Sequence, residues 1–169
     1  MMLANLTSKR IIMLKRLLLC CLLTLCSLPL SAAENGHDAI GLLSQQQLLT
    51  NYAAFADEYG RFTPTQQDLE QMQALSGASL VVLFGSWCHD SEREVPRLLK
   101  LIAMSGVELE SLQLQAVDRS KQHPDKLHTD YELRYTPTFI VLRDGKELGR
   151  VIEKPQQSLA ADLSSIAGR

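Results

Sequence analysis

Phe84-Gly85-Ser86-Trp87-Cys88-His89-Asp90-Ser91 joins an apolar run to the start of a helical pattern, with a cysteine at the junction. The run before it, Leu80-Val81-Val82-Leu83-Phe84, is short, rich in β-formers and continuously apolar. That is the pattern of a strand buried on both faces. After it, Val95, Leu98, Leu99 and Ile102 recur at helical spacing to about Met104, and Gly106 lies beyond the end. A helix N-terminus offers unpaired N–H groups and partial positive charge, which favour thiolate over thiol. Two residues separate Cys88 from Ser91, where a second cysteine would complete a dithiol redox motif. A hydroxyl stands there instead.

Of the four cysteines, Cys20, Cys21 and Cys26 fall in a leader-like segment. Lys9, Arg10, Lys15 and Arg16 come first, without an acidic residue. Leu17 to Leu30 is apolar, and Ser31-Ala32-Ala33 precedes Glu34. This is the order of a secretory signal peptide, 1–33, with cleavage expected after Ala33. Met13 is a second candidate start. The apolar run is shorter than the roughly 20 residues of a membrane span, and an uncleaved tether is the alternative. Leu25 before Cys26 weighs against a lipoprotein signal.

The expected mature chain, 34–169, keeps 136 of the 169 residues, enough for one domain with a real core. Removing the four leader cations leaves 13 basic against 19 acidic residues, a formal charge of −6. An acidic chain without a Lys/Arg cluster gives no support for nucleic acid binding. In an oxidising compartment, structural disulfides call for an even number of cysteines. Cys88 alone points to a reactive thiol or an intermolecular bond.

Residues 35–41 read as a loose polar start. A helix is expected over about 43–59, ended by Gly60, and a second over about 66–75 after Thr63-Pro64-Thr65. Pro96 falls inside the helix that follows Cys88 and is expected to kink it. Alternation at Leu112, Leu114 and Ala116 marks a strand over about 112–118, and a short helix is expected around 124–132. Thr138–Leu142 is a further strand, and Asp144-Gly145 turns it into a paired strand over Lys146–Glu153. Leu159, Leu163 and Ile166 mark a closing helix. The order implies an α/β fold, a mixed central sheet flanked by helices.

Three landmarks together resemble the thioredoxin superfamily, over roughly residues 66–169. They are Trp87-Cys88-x-x-Ser91 after a buried strand, Pro96 eight residues past the cysteine, and Tyr135-Thr136-Pro137-Thr138-Phe139 leading into the hairpin. More narrowly, Trp87-Cys88-His89-Asp90-Ser91 with Arg93-Glu94-Val95-Pro96 is similar to a group of secreted bacterial thioredoxin-like proteins. Val117-Asp118-Arg119 and Gly145-Lys146-Glu147-Leu148-Gly149-Arg150 fit that group too. The resemblance implies a thioredoxin-like domain over 66–169, preceded by a helical N-terminal extension over 34–65. It also implies a cis bond at Thr136–Pro137, which the residues alone leave open against an ordinary trans proline.

Beside the thiol, the Thr136 N–H and C=O would be free to pair with an extended substrate segment. Trp87, Thr136 and Pro137 are therefore the expected substrate-docking residues. Cys88 is the expected nucleophile, and Ser91 is expected to hydrogen-bond its sulfur. His89, if protonated, would support a thiolate; Asp90, Glu92 and Glu94 suit the helix dipole but oppose a second negative charge. Ser91 cannot resolve a mixed disulfide, and Val82 stands where ordinary thioredoxins carry a buried carboxylate. Monothiol exchange remains, reductase- or isomerase-like, with protein thiols or disulfides as partners and glutathione or another small thiol as resolver. A monomer is expected, with no cofactor, no metal, no nucleic acid and no membrane contact once the leader is removed. The alternatives are a non-catalytic peptide-binding module and a cysteine regulated by oxidation to sulfenic acid. Cys88 with His89 could supply two metal ligands, but His37, His123 and His128 show no ligand spacing. No residue is located as the base of a cysteine hydrolase.

Overall fold

A computed structural model describes residues 37–168. The leader, with Cys20, Cys21 and Cys26, lies outside the described residues. Strand β1 (Gly41–Leu43) is followed by α1 (Gln45–Asn51), α2 (Ala53–Arg61) and α3 (Gln66–Met72), the last running into a tight turn at Gln73–Leu75. Then come β2 (Ser79–Phe84), α4 (His89–Ser105), β3 (Ser111–Ala116), α5 (Leu127–Asp130), β4 (Thr138–Arg143), β5 (Lys146–Ile152) and α6 (Leu159–Ala167). The strands form one sheet in the order β1-β3-β2-β4-β5. β2 and β3 are parallel, and the other three pairings are antiparallel. This is the mixed α/β architecture expected, a central sheet with flanking helices.

β2 lies in the middle, bonded to β3 and β4, so both of its faces must be covered. Leu80, Val82 and Phe84 enter the larger core, with Phe55 of α2, Leu98 and Leu99 of α4, and Leu163 of α6. Val81 and Leu83 point the other way, into a smaller cluster with Val117, Ile140 and Leu142 that Leu127, Tyr131 and Leu133 cover. Each fully buried large side chain contributes about 1.5–3 kcal/mol. Val82 is fully buried in that larger core.

The N-terminal region differs from its expected form. The single helix expected over 43–59 is two helices, broken where Tyr52 adopts an extended backbone (φ −127°, ψ 97°). Ser44 caps the first in a reciprocal box with Gln47, which sets its start after the strand. The loose start contains β1, whose Gly41 opposes Ala116 at the sheet edge. The region is therefore not purely helical, nor is it peripheral: Phe55 is fully buried and meets Phe84 edge-on at 5.8 Å. Buried Glu58 accepts from Arg97 of α4 at 2.7 Å and from Arg61 at 2.6 Å. Burial alone would raise the Glu58 pKa; hydrogen bonds and charge from Arg97 and Arg61 outweigh it and hold the carboxyl below its usual range.

Elsewhere the elements follow the expected pattern. Gly106 takes the left-handed conformation that ends α4 (φ 64°), and Asp144 and Gly145 do so in the β4–β5 turn (φ 52° and 72°). Among the described residues no helix is long and apolar enough to cross a membrane.

Candidate active site

Cys88 is the cap residue of α4, with extended backbone (φ −102°, ψ 120°) just before the first helical residue, His89. Its N–H closes a turn onto the Gly85 carbonyl at 3.1 Å, and its carbonyl accepts from Glu92 N–H at 2.9 Å. These bonds set the sulfur at the end of the central strand, partly exposed. It is the one cysteine among the described residues. Opposite it, the Thr136–Pro137 bond is cis. Thr138 Oγ1 donates to the Tyr135 carbonyl at 2.7 Å, and Glu153 N–H donates to the Pro137 carbonyl at 2.7 Å. The loop is thus held from both sides, with Thr136 and Pro137 buried.

The Cys88 thiol donates to the Thr136 carbonyl at 3.2 Å. The carbonyl expected to be free for a substrate strand is therefore occupied by the protein's own sulfur.

Ser91 does not do what was expected of it. It is fully buried, and its Oγ accepts from the Gly85 N–H at 3.3 Å. No Ser91–Cys88 hydrogen bond forms among the described residues. Facing inward from the first turn of α4, the hydroxyl satisfies a backbone donor that the strand-to-helix turn would otherwise leave buried and unpaired.

His89 and Asp90 stand beside the sulfur in sequence but engage other groups. The His89 side chain is 99% exposed, with Nδ1 at 2.9 Å from Glu92 Oε2. Asp90 faces Arg93 at 3.3 Å and Lys154 at 3.5 Å. Glu94, nearly fully buried, pairs with Arg93 at 2.6 Å. Asp90 and Glu94 are thus paired with cations of α4 and the segment after β5.

Trp87 adjoins Cys88 in the chain. Its indole N–H donates to the Val117 carbonyl at 3.2 Å, and its ring lies over Gly85. A β-carbon on Gly85 would fall 2.6 Å from Trp87 Cε2, so only glycine admits the ring here. The Arg119 guanidinium sits 5.9 Å from the ring centroid, and Lys121 sits 5.7 Å from that of half-exposed Tyr135. Trp87 and Tyr135 thus each stand beside a cation of the loop after β3.

Sequence reading missed Arg119 as a partner of Trp87, and Asp38, which binds Arg119 across 81 positions. Nothing in local spacing signals a contact of that range. It also left His123 without a place. His123 is buried, with Nε2 at 3.1 Å from Gln115 Oε1 and Nδ1 accepting from Asp125 N–H at 3.1 Å. Burial lowers its pKa; nearby His128 adds to that, and Asp125 opposes it. Among the described residues no group of three His, Cys, Asp or Glu is placed to hold a metal ion.

No family model and no curated protein matches the chain. Solved structures do match it. One is a protein of unknown function from Pseudomonas aeruginosa, 21% identical, covering 82% of this chain and 86% of that one, with a TM-score of 0.48. Thioredoxin 2 from the same organism, in its reduced form, is 23% identical over 63% of this chain and 91% of its own, with a TM-score of 0.39. A thioredoxin from Fasciola hepatica is 24% identical over 51% of this chain and 79% of its own, with a TM-score of 0.35. These are likenesses of fold. What the site can do rests on its own residues.

Proposed function

We propose that this chain is an exported, monomeric thioredoxin-like protein that exchanges disulfides through the single sulfur of Cys88. The observation that carries the reading is the seat of that sulfur: partly exposed, at the cap of a 17-residue helix, against the loop of cis-Pro137. Export is the role of the leader, 1–33. Trp87, Thr136 and Pro137 dock an extended segment of the partner. The segment's N–H takes over the Thr136 carbonyl and releases the thiol from it.

The Cys88 thiol then gives its proton to solvent, and the thiolate attacks one sulfur of the partner disulfide. The partner S–S bond breaks as the Cys88–partner bond forms, and the displaced sulfur leaves as a thiolate that takes up a proton. Ser91 has no sulfur with which to resolve this intermediate. Glutathione or another small thiol, as thiolate, attacks the partner sulfur, joins it in a new disulfide and returns Cys88 as a thiolate.

The test is to mix the reduced protein with a disulfide-bonded model protein, quench in acid and search for the Cys88-linked mixed disulfide by mass. It should form with the native sequence, be absent in Cys88→Ser, and turn over when glutathione is added. If no such species forms at any glutathione concentration, the exchange reading fails. A second reading is favoured by the S–H···O contact to Thr136, which engages the sulfur within the protein. In it the chain is a peptide-binding module, and Cys88→Ser retains full binding.

A further inference from the structure

We infer that the Asp38–Arg119 ion pair is a positioning clamp that ties the segment before β1 to the active-site loop and sets the orientation of Trp87. The inference rests on the exchange reading for its consequence, but its geometry stands apart from it. Arg119 Nε lies 2.7 Å from Asp38 Oδ2, and Nη2 lies 3.2 Å from Oδ1, a fork-to-fork pair. The same guanidinium is 5.9 Å from the Trp87 centroid. The residue after Asp38 is buried Ala39, whose N–H donates to Ser86 Oγ at 2.7 Å. Two adjacent residues of the N-terminal segment therefore grip both the loop that carries Cys88 and the loop that follows β3.

Three contacts bear on the indole. Gly85 leaves room for the ring, the Val117 carbonyl holds its N–H, and the Arg119 guanidinium stands 5.9 Å from its centroid. Val117 and Arg119 lie just past the end of β3, and β1 pairs antiparallel with that strand, Gly41 opposite Ala116. The short strand thus brings Asp38 to the end of the sheet where Cys88 lies. Without Asp38, Arg119 has no paired carboxylate, and its side chain, 71% exposed, is free to leave the ring for water. Asp38 and Arg119 touch neither the sulfur nor a reacting atom. They are positioning residues, and their effect is on docking.

The variants are Asp38→Asn and the charge-conserving Asp38→Glu, in the intact protein. Trp87 is the one tryptophan of the chain, so its emission and its quenching by acrylamide report the ring alone. In Asp38→Asn, quenching should rise and KM for a protein disulfide should rise about two- to fivefold, the range of an exposed ion pair. The rate of Cys88 alkylation by iodoacetamide, which needs no docked chain, should stay within about twofold, and Asp38→Glu, which keeps a carboxylate for Arg119, should hold KM and quenching near the native values. High salt should weaken the native clamp and leave Asp38→Asn unmoved. Unchanged quenching in Asp38→Asn overturns the clamp. So does a parallel loss of thermal stability, alkylation and docking in Asp38→Asn that Asp38→Glu shows equally, since that marks a merely structural contact. If the native protein exchanges no disulfides, the exchange reading fails while the quenching and salt arms still decide the clamp.

Discussion

Replacing Gly85 with alanine should unseat Trp87 without altering Cys88 itself. Gly85 is not among the glycines held at positive φ, which are Gly41, Gly77, Gly106 and Gly145, so alanine brings no backbone strain. The obstacle is the indole: the new methyl would lie 2.6, 2.8 and 2.9 Å from Cε2, Cζ2 and Nε1. To regain ordinary contact the ring must withdraw by roughly 0.8 Å. The bond from Nε1 to Val117 is already 3.2 Å long and has little room to stretch. Overpacking of this kind costs about 1–3 kcal/mol and a lost neutral hydrogen bond about 1 kcal/mol, so the sum is about 2–4 kcal/mol. At about 3–5 °C per kcal/mol for a domain of this size, Tm should fall by about 6–20 °C. Thermal unfolding should be followed by circular dichroism, with Trp87 emission recorded on the native baseline. Red-shifted emission together with the fall in Tm is expected. In a Trp87→Ala background the same substitution should cost less than about 0.5 kcal/mol, because the clash has lost its partner. A Tm within about 2 °C of native with unchanged emission would show that the ring does not lie over Gly85.

Ser91→Ala should cost about 1–3 kcal/mol in denaturant unfolding, because the Gly85 N–H loses its buried acceptor. Cys88 alkylation should change by less than about twofold; a change beyond about tenfold would put Ser91 on the sulfur after all. Phe55→Ala should cost about 3–5 kcal/mol in a single cooperative transition, since the ring is fully buried against Phe84. Two separate transitions would show that α1 and α2 are an appendage. His123 titrates below its ordinary value because it is buried, so the unfolded chain binds its proton first as pH falls. Its contribution to stability should be complete above about pH 6.5 and be lost as pH falls through the lowered folded value. The acid limb of a stability–pH curve should flatten in His123→Gln, and an unchanged limb would remove His123 as its source.

Much of the fold was legible because its signals are local. Leu80–Phe84 is apolar without interruption, and a strand flanked on both sides and both faces has no other composition open to it. Asp144-Gly145 marks the β4–β5 turn because two successive positive φ angles admit few other residues. The N-terminal region was less legible. Leu43, Leu48, Tyr52, Phe55 and Tyr59 keep a rough helical period across a break that only the Tyr52 backbone reveals. A three-residue edge strand such as β1 is too short to show a period of its own. It exists because Ala116 and its neighbours present an unpaired strand edge for it to complete.

The site divides in the same way. The succession of a buried strand, Trp87, Cys88 and an amphipathic helix is written in the chain, and it places a lone sulfur at the helix mouth by covalent connection alone. Where the neighbouring polar groups point is not written there. Ser91 is a hydroxyl one turn from the thiol, yet it faces the Gly85 N–H because that donor is buried and has no other partner. His89 and Asp90 adjoin the cysteine in sequence but lie against Glu92, Arg93 and Lys154. Thr136, 48 residues away, supplies the carbonyl that holds the thiol proton. The sequence by itself determined the strand, the helix and the residue that bears the sulfur, because periodicity and chain connectivity act over a few residues. The tertiary structure decided what that sulfur and Trp87 touch, because those contacts come from loops brought to one end of the sheet by strand pairing between distant segments.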